Sequence, residues 1–431
     1  MSTHVKRHLT GVVAAGVLAA LTLTGSAGAG GRTSAAWTGT WATGVTGAAT
    51  APVPETVFTD QTLRQIVHTS VAGRTLRVRL SNEHGSAPLE IGAARVARRD
   101  TAARIVAGTD RPLTFGGRTS VTVPPGSPVV SDPVPLAVPA RTDLAISLHL
   151  PRRTVASTLH NSAFQTSYVA AGDRTRAADL PGAATTTSWY FLSDVSVTTT
   201  AGTGAVVAFG DSITDGSSTT TDTNHRWPDY LAARAPGLGV LNKGIGGNRL
   251  LHDGNTLPGT DFSGIGPLFG DSALRRFDRD VLAPAGVRHV IVLLGINDIG
   301  QPGSTSPASE AVTLDQLIFA HRQLIARAHD HGLRIYGGTL TPFGDTTIPG
   351  YYTAERESVR QALNHWIRTS GEYDAVVDFD RAVRDPAQPV RMLPAYDSGD
   401  HLHPNDAGMR AMADAVPLRL FRGTPVPELK G

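Results

Sequence analysis

The stretch Val206-Val207-Ala208-Phe209-Gly210-Asp211-Ser212-Ile213-Thr214 decides how this chain folds. Four apolar residues in succession run into a glycine and a polar cluster. A short unbroken apolar run fits a strand buried on both faces, as in a parallel sheet covered by helices. Working outward, similar runs recur at Val240 to Ile245, His289 to Leu294, Ile335 to Leu340 and Ala375 to Phe379. Between the third and fourth, Thr313 with Gln316 three residues on forms a capping-box signature. Leu314, Leu317, Ile318, Leu324, Ile325 and Ala328 then make one helical stripe, which Gly332 ends. A second helix is expected over about Ala354 to Ser370, with Thr353 as N-cap and Gly371 as stop. Strands alternating with helices give a doubly wound α/β fold with a five-stranded parallel sheet, and its site should lie beyond the carboxyl ends of the strands.

Upstream, from Trp37 to about Val197, the apolar residues alternate instead. In TLRVRLSNE, Leu76, Val78 and Leu80 share one face, and in TDLAISLHL, Leu144, Ile146, Leu148 and Leu150 do the same. Runs of this kind between Gly, Pro and Thr turns predict an all-β, sandwich-like domain over residues 37–200. Ala201 to Gly204 reads as the linker to an α/β domain over 204–424. Two long loops, Asp253 to Gly270 and Ile299 to Pro307, are either substrate-contacting or tolerated surface insertions.

Composition narrows the functional classes. With 431 residues, 40% hydrophobic and 18% charged, the chain is globular and long enough for two or three domains. Residues 1–29 read as a secretory signal peptide: Lys6 and Arg7, an apolar stretch from Val12 to Leu23, then Ala27-Gly28-Ala29. The apolar stretch is broken by Gly16 and Thr22 and falls short of the roughly 20 residues a membrane span needs. The expected mature protein is extracellular, with no membrane span. The leader carries the whole excess of the 39 Lys and Arg over the 37 Asp and Glu, so no basic field remains to attract nucleic acid. The absence of cysteine excludes disulfides, thiolate zinc sites and a cysteine nucleophile.

Ser212 follows the first strand directly, where α/β folds place reactive groups. The segment is not a G-x-S-x-G elbow, because Thr214 stands where the second Gly would fall. A serine there serves equally as a helix N-cap. A serine nucleophile needs a base and an acid to orient that base. Ser398-Gly399-Asp400-His401-Leu402-His403-Pro404-Asn405 offers both, with Asp400 three residues before His403. Asp397 is a second candidate acid, and His401-x-His403 is a metal-ligand spacing without an evident third ligand. Donors for an oxyanion are available after two other strands, in Asn242-Lys243-Gly244-Ile245-Gly246-Gly247-Asn248-Arg249 and in Gly295-Ile296-Asn297-Asp298. Glycines also serve turns, and asparagines also satisfy their own loops.

Together, Ser212, the Gly246-Gly247 pair, Asn297 and His403 stand in the order and spacing of the SGNH hydrolases, the GDSL esterases and lipases, which the chain resembles over about 204–424. GDSIT, NKGIGGNR, GIND and DHLHP each look like one of that family's blocks. The resemblance implies Ser212 as nucleophile, His403 as general base and Asp400 as its orienting acid. It implies an oxyanion hole from the backbone N–H of Ser212, that of Gly247 or alternatively Gly246, and the side chain of Asn297. It implies no cofactor, and the His401-x-His403 spacing alone leaves no metal site expected. The β-rich half departs from the minimal family and looks like the two-part arrangement of secreted members grouped near xylan esterases. It is either a carbohydrate-binding or substrate-gating module, or a packing partner. Trp37, Trp41, Trp189 and Tyr190 are its aromatics, most of them expected in the core.

The resulting expectation is a secreted serine carboxylester hydrolase that removes short acyl groups from polysaccharide or small esters. A lipolytic enzyme for longer chains is the rival, with Leu257, Phe262, Ile265, Leu268 and Phe269 either lining an acyl channel or forming the loop's own core. A non-catalytic carbohydrate-binding protein on the same fold is the third reading.

Overall fold

The computed structural model describes residues 36–199 and 204–422. The expected leader over 1–29, linker residues 201–203 and the last two residues of the 204–424 segment lie outside that range. The apolar run at the start of the GDSIT segment forms the strand Ala205–Gly210, every residue of it buried. It pairs in parallel with Gly239–Gly244 on one side and Val287–Leu293 on the other. Arg334–Gly338 and Ala375–Val377 extend the sheet, so its spatial order is second, first, third, fourth, fifth. Chain direction switches at the first strand, and a crevice opens beyond the carboxyl ends at such a point.

The fifth strand is shorter than its apolar run. Asp378 ends it by accepting from Arg381 N at 3.1 Å and capping the short helix Phe379–Val383, so Phe379 enters a helix and not the sheet. The two expected long helices form as Leu314–Asp330 and Ala354–Thr369. In the first, Thr313 Oγ1 accepts from Gln316 N at 3.3 Å while Thr313 N donates to Gln316 Oε1 at 2.8 Å. This reciprocal cap satisfies two donors that a helix start leaves free.

The N-terminal half is built on two large antiparallel sheets, with three small sheets of two or three strands beside them. One orders Ala36–Ala42, Leu192–Thr199, Gly73–Asn82 and Ser127–Val130, with Val134–Val138 also pairing to Gly73–Asn82. The other carries Gln61–His68, Asp143–Leu150 and Ala93–Arg98 at its centre. Leu76, Val78, Leu80, Leu144, Ile146 and Leu148 are fully buried in one shared core, each stabilising the fold by about 1.5–3 kcal/mol. Trp41, Trp189 and Tyr190 belong to that core, and Trp189 Nε1 donates to Ile66 O at 2.8 Å. Trp37 is covered by the Arg77 guanidinium, 3.8 Å from its ring centre.

The two halves cluster as one compact unit. Gly39 N donates to Ala285 O at 2.7 Å, and Val240 N donates to Ser70 Oγ at 2.9 Å. Lys243 is buried on the seam, where its Nζ donates to Thr43 O at 2.7 Å and lies 3.2 Å from Asp194 and 3.8 Å from Asp280. A buried ammonium persists only when paired and hydrogen-bonded in this way.

Candidate active site

Ser212 is the first residue of the short helix Ser212–Asp215. Its N-cap is Asp211, whose side chain accepts from Ile213 N at 3.0 Å, so the capping role open to Ser212 belongs to its neighbour. The Ser212 hydroxyl is therefore free of the helix backbone, and it meets His403 Nε2 at 2.8 Å. His403 Nδ1 donates to Asp400 Oδ2 at 2.6 Å. That bond fixes the tautomer and leaves the Nε2 lone pair to accept the Ser212 proton.

Asp400 is itself held in place. Its Oδ1 accepts from Leu402 N at 2.9 Å, His403 N at 2.8 Å and Ser398 Oγ at 3.0 Å. Burial alone would raise its pKa, but the His403 bond and charge, with those backbone donors, hold it well below the usual carboxylate range. Asp397, the other candidate acid, pairs with His401 Nδ1 at 2.5 Å and not with His403. The two histidines of the His401-x-His403 spacing thus face separate carboxylates. Among the described residues, no group of three or more His, Asp or Glu is arranged to hold a metal ion.

Asn297 lies in the first turn of the helix Ile296–Gly300. Its Oδ1 accepts from Tyr351 OH at 2.8 Å and Gln301 Nε2 at 3.0 Å, which sets the amide's orientation. Nδ2 donates to Asn248 O at 3.0 Å, and its second N–H has no protein partner among the described residues. The backbone N–H groups of Ser212 and Gly247 are likewise unpaired among the described residues. Gly247 has φ +73°, and a Cβ there would lie 2.4 Å from the Phe269 ring. Gly246 has open space, its nearest neighbour 3.9 Å away. Only the second glycine is therefore required by the packing.

Ser212, Gly247, Asn297 and His403 line one pocket of about 260 Å³. Phe262, Ile265, Leu268 and Phe269 from the long loop form an apolar wall of it, whereas Leu257 does not reach it. Thr305 of the other long loop also lines it. Asn161, Ser162 and Phe164 come from the N-terminal half. Behind Ser212, His160 of that half meets Asp215 Oδ1 through Nε2 at 2.9 Å, while its Nδ1 donates to Gly44 O at 2.8 Å. Tyr351, Gln301, His160 and the 161–164 segment were not legible as site residues. Tyr351 stands 54 positions from the asparagine it orients, with no motif around it.

Two more carboxyls sit under the site. Asp211 is buried, its Oδ2 has no hydrogen-bond partner among the described residues, and desolvation pushes its pKa up to about 7 against the pull of the Ile213 N–H. Burial also pushes Asp298 up to about 6, although Leu250 N and Leu251 N donate to it at 2.8 and 3.1 Å.

A serine hydroxyl on an oriented imidazole, beside three unpaired N–H donors, is an arrangement for acyl transfer. Residues 208–411 match the model of the GDSL-like lipase/acylhydrolase family. The chain is a carboxylic ester hydrolase. No curated protein matches it. Among solved structures, a carbohydrate esterase family 2 enzyme with a carbohydrate-binding domain from Corynascus thermopiles is 12% identical. That match covers 88% of this chain and 97% of that one, with TM-score 0.38. Est24, a carbohydrate acetylesterase from Sinorhizobium meliloti, is 14% identical over 49% of this chain and 95% of its own, with TM-score 0.35. A GDSL-like lipase from Bacteroides thetaiotaomicron is 18% identical over 49% and 84%, with TM-score 0.35. Among the described residues, no helix is long and apolar enough to cross a membrane.

Proposed function

We propose that this protein is an exported serine esterase that works through an acyl-enzyme and removes short acyl groups from polysaccharide or small esters. One observation carries the mechanism: the continuous chain Ser212 Oγ, His403 Nε2, His403 Nδ1, Asp400 Oδ2, at 2.8 and 2.6 Å. Ser212 Oγ attacks the ester carbonyl carbon as its proton passes to His403 Nε2. The oxyanion that forms is met by the N–H groups of Ser212, Gly247 and Asn297 Nδ2. The carbon–oxygen bond to the alcohol then breaks, and His403 returns the proton to the departing oxygen. Water, deprotonated by the same nitrogen, attacks the acyl-enzyme, and collapse frees the acid and restores Ser212. The polysaccharide reading draws on the polar groups of Asn161, Ser162 and Ser217 around the apolar pocket.

The test is hydrolysis of p-nitrophenyl esters from acetate to palmitate by wild type and Ser212→Ala. Activity highest on acetate or butyrate, and lower by on the order of a million-fold in the variant, is expected. Undiminished activity in Ser212→Ala overturns the mechanism, and a maximum at octanoate or longer overturns the acyl preference. Export rests on the sequence of residues 1–29. Secreted material beginning at Gly30 is expected from expression of the full chain, and an uncleaved, cell-retained product overturns it.

A further inference from the structure

His403 must hand its proton to the departing alcohol, so the alcohol leaves on the imidazole side of Ser212. Hydrogen bonds link the segment Asn161–Phe164 of the N-terminal half to that side through the turn after the Ser212 helix. Asp222, in the turn that follows the Ser212 helix, accepts from Gln165 Nε2 and Thr166 N at 2.6 Å each, and its own N–H donates to Phe164 O at 3.0 Å. The same turn reaches the helix after His403, where Thr220 N donates to Asp406 Oδ1 at 2.9 Å. Arg226 adds a bond to Ala163 O. On the Phe262-to-Phe269 wall of the pocket, Phe269 lies against the oxyanion donor Gly247, where a Cβ would be 2.4 Å from its ring.

The backbone of the segment is unusual. Ser162 has φ +54° and Phe164 has φ +48°, a left-handed conformation that bulky residues rarely adopt and that persists only where surrounding bonds enforce it. Asn161, Ser162 and Phe164 all line the pocket, with Asn161 Nδ2 donating to Ser162 Oγ at 3.0 Å. An aromatic face beside an amide and a hydroxyl suits a ring that is apolar on one face and carries hydroxyls at its edge.

We propose that Asn161–Phe164 is the leaving-alcohol subsite, lent to the catalytic half by the β half, and that the alcohol it accepts is a sugar ring. The proposal rests on the esterase reading above. The acyl group takes the Phe262-to-Phe269 wall, so the two halves of the chain set the two halves of ester specificity.

The experiment compares wild type, Phe164→Ala and Asn161→Ala on two series: acetyl esters of p-nitrophenol and of xylose, and p-nitrophenyl esters from acetate to octanoate. For both variants we expect kcat/KM on acetylated xylose to fall by about 10-fold or more relative to p-nitrophenyl acetate. The acyl-length ranking and the deacylation rate after the p-nitrophenol burst should not change, because the acyl-enzyme no longer contains the alcohol. Equal losses on every ester, a shifted acyl ranking, or no change overturns the subsite. Wild type that cleaves p-nitrophenyl acetate but not acetylated xylose overturns the sugar. Wild type inert on all esters overturns the esterase reading instead. Asn161 is exposed, so its variant keeps the test readable if Phe164→Ala does not fold.

Discussion

Two histidine–aspartate pairs flank the four-residue helix that begins at Ser212, and they do opposite things. His403 with Asp400 leaves one imidazole nitrogen facing a hydroxyl, so that nitrogen can take a proton. His160 with Asp215 commits both nitrogens to oxygens that only accept, the Gly44 carbonyl and a carboxylate, and is almost fully buried. The first pair is equipped for chemistry. The second ties the β half to the back of the Ser212 helix. What separates a proton-accepting pair from a clasp is the third partner, a hydroxyl in the first and a backbone carbonyl in the second, not the pair itself.

The most drastic way to break the comparison is Asp400→Asn. Loss of the tautomer lock should lower kcat by about 10⁴-fold with little change in melting temperature; a loss under tenfold would mean that His403 is oriented by something else. His160→Ala should do the reverse. It leaves Asp215 buried without its partner, so unfolding in urea should show a stability loss of about 3–5 kcal/mol, while kcat of the folded enzyme changes by less than about tenfold. Stability equal to wild type would refute the clasp.

Asp211 sharpens the contrast, being a carboxyl beside the same helix with no imidazole. Its pKa rises from 3.8 to about 7 in the fold. Between those values the unfolded chain has released a proton that the folded chain keeps, so its contribution to stability falls as pH rises through that window and levels off above it. Asp211→Asn keeps an oxygen for the Ile213 N–H and removes the titration. Its melting temperature should vary less than that of wild type between pH 4 and pH 7; an unchanged slope would assign the dependence to other groups. The smallest effect is expected for Asp397→Asn, whose carboxylate meets His401 and the Gly399 N–H but not His403: kcat within about threefold of wild type, against the large loss at Asp400.

The parts of this site that could be read from sequence are those whose chemistry is local. Ser212 follows its strand directly, and Asp400 precedes His403 by three residues, so a strand end and one tight loop suffice to announce them. The parallel sheet was legible for a similar reason, since a strand buried on both faces writes its burial into consecutive residues such as Val206 to Phe209. Groups acting through distant contacts left no such trace. Tyr351 orients Asn297 across the fold, and His160 reaches Asp215 from the other half. The choice of Gly247 over Gly246 depends on a ring 22 positions further on, Phe269, occupying the space of an absent Cβ. Phe379 was misassigned because an apolar residue inside a capped turn has the same local pattern as one in a strand.

Lys243 carries a consequence for inheritance. It sits in the second strand of the parallel sheet, yet it bonds Thr43 and pairs with Asp194, both from the other half. A gene fusion or truncation cut between residues 200 and 204 would leave this lysine with Asp280 alone and open the Val240 edge that Ser70 now closes. The halves are therefore poor units for shuffling. Halves exchanged between relatives should be tolerated only when Ser70 and Asp194 travel with Lys243, since Thr43 contributes only its backbone carbonyl.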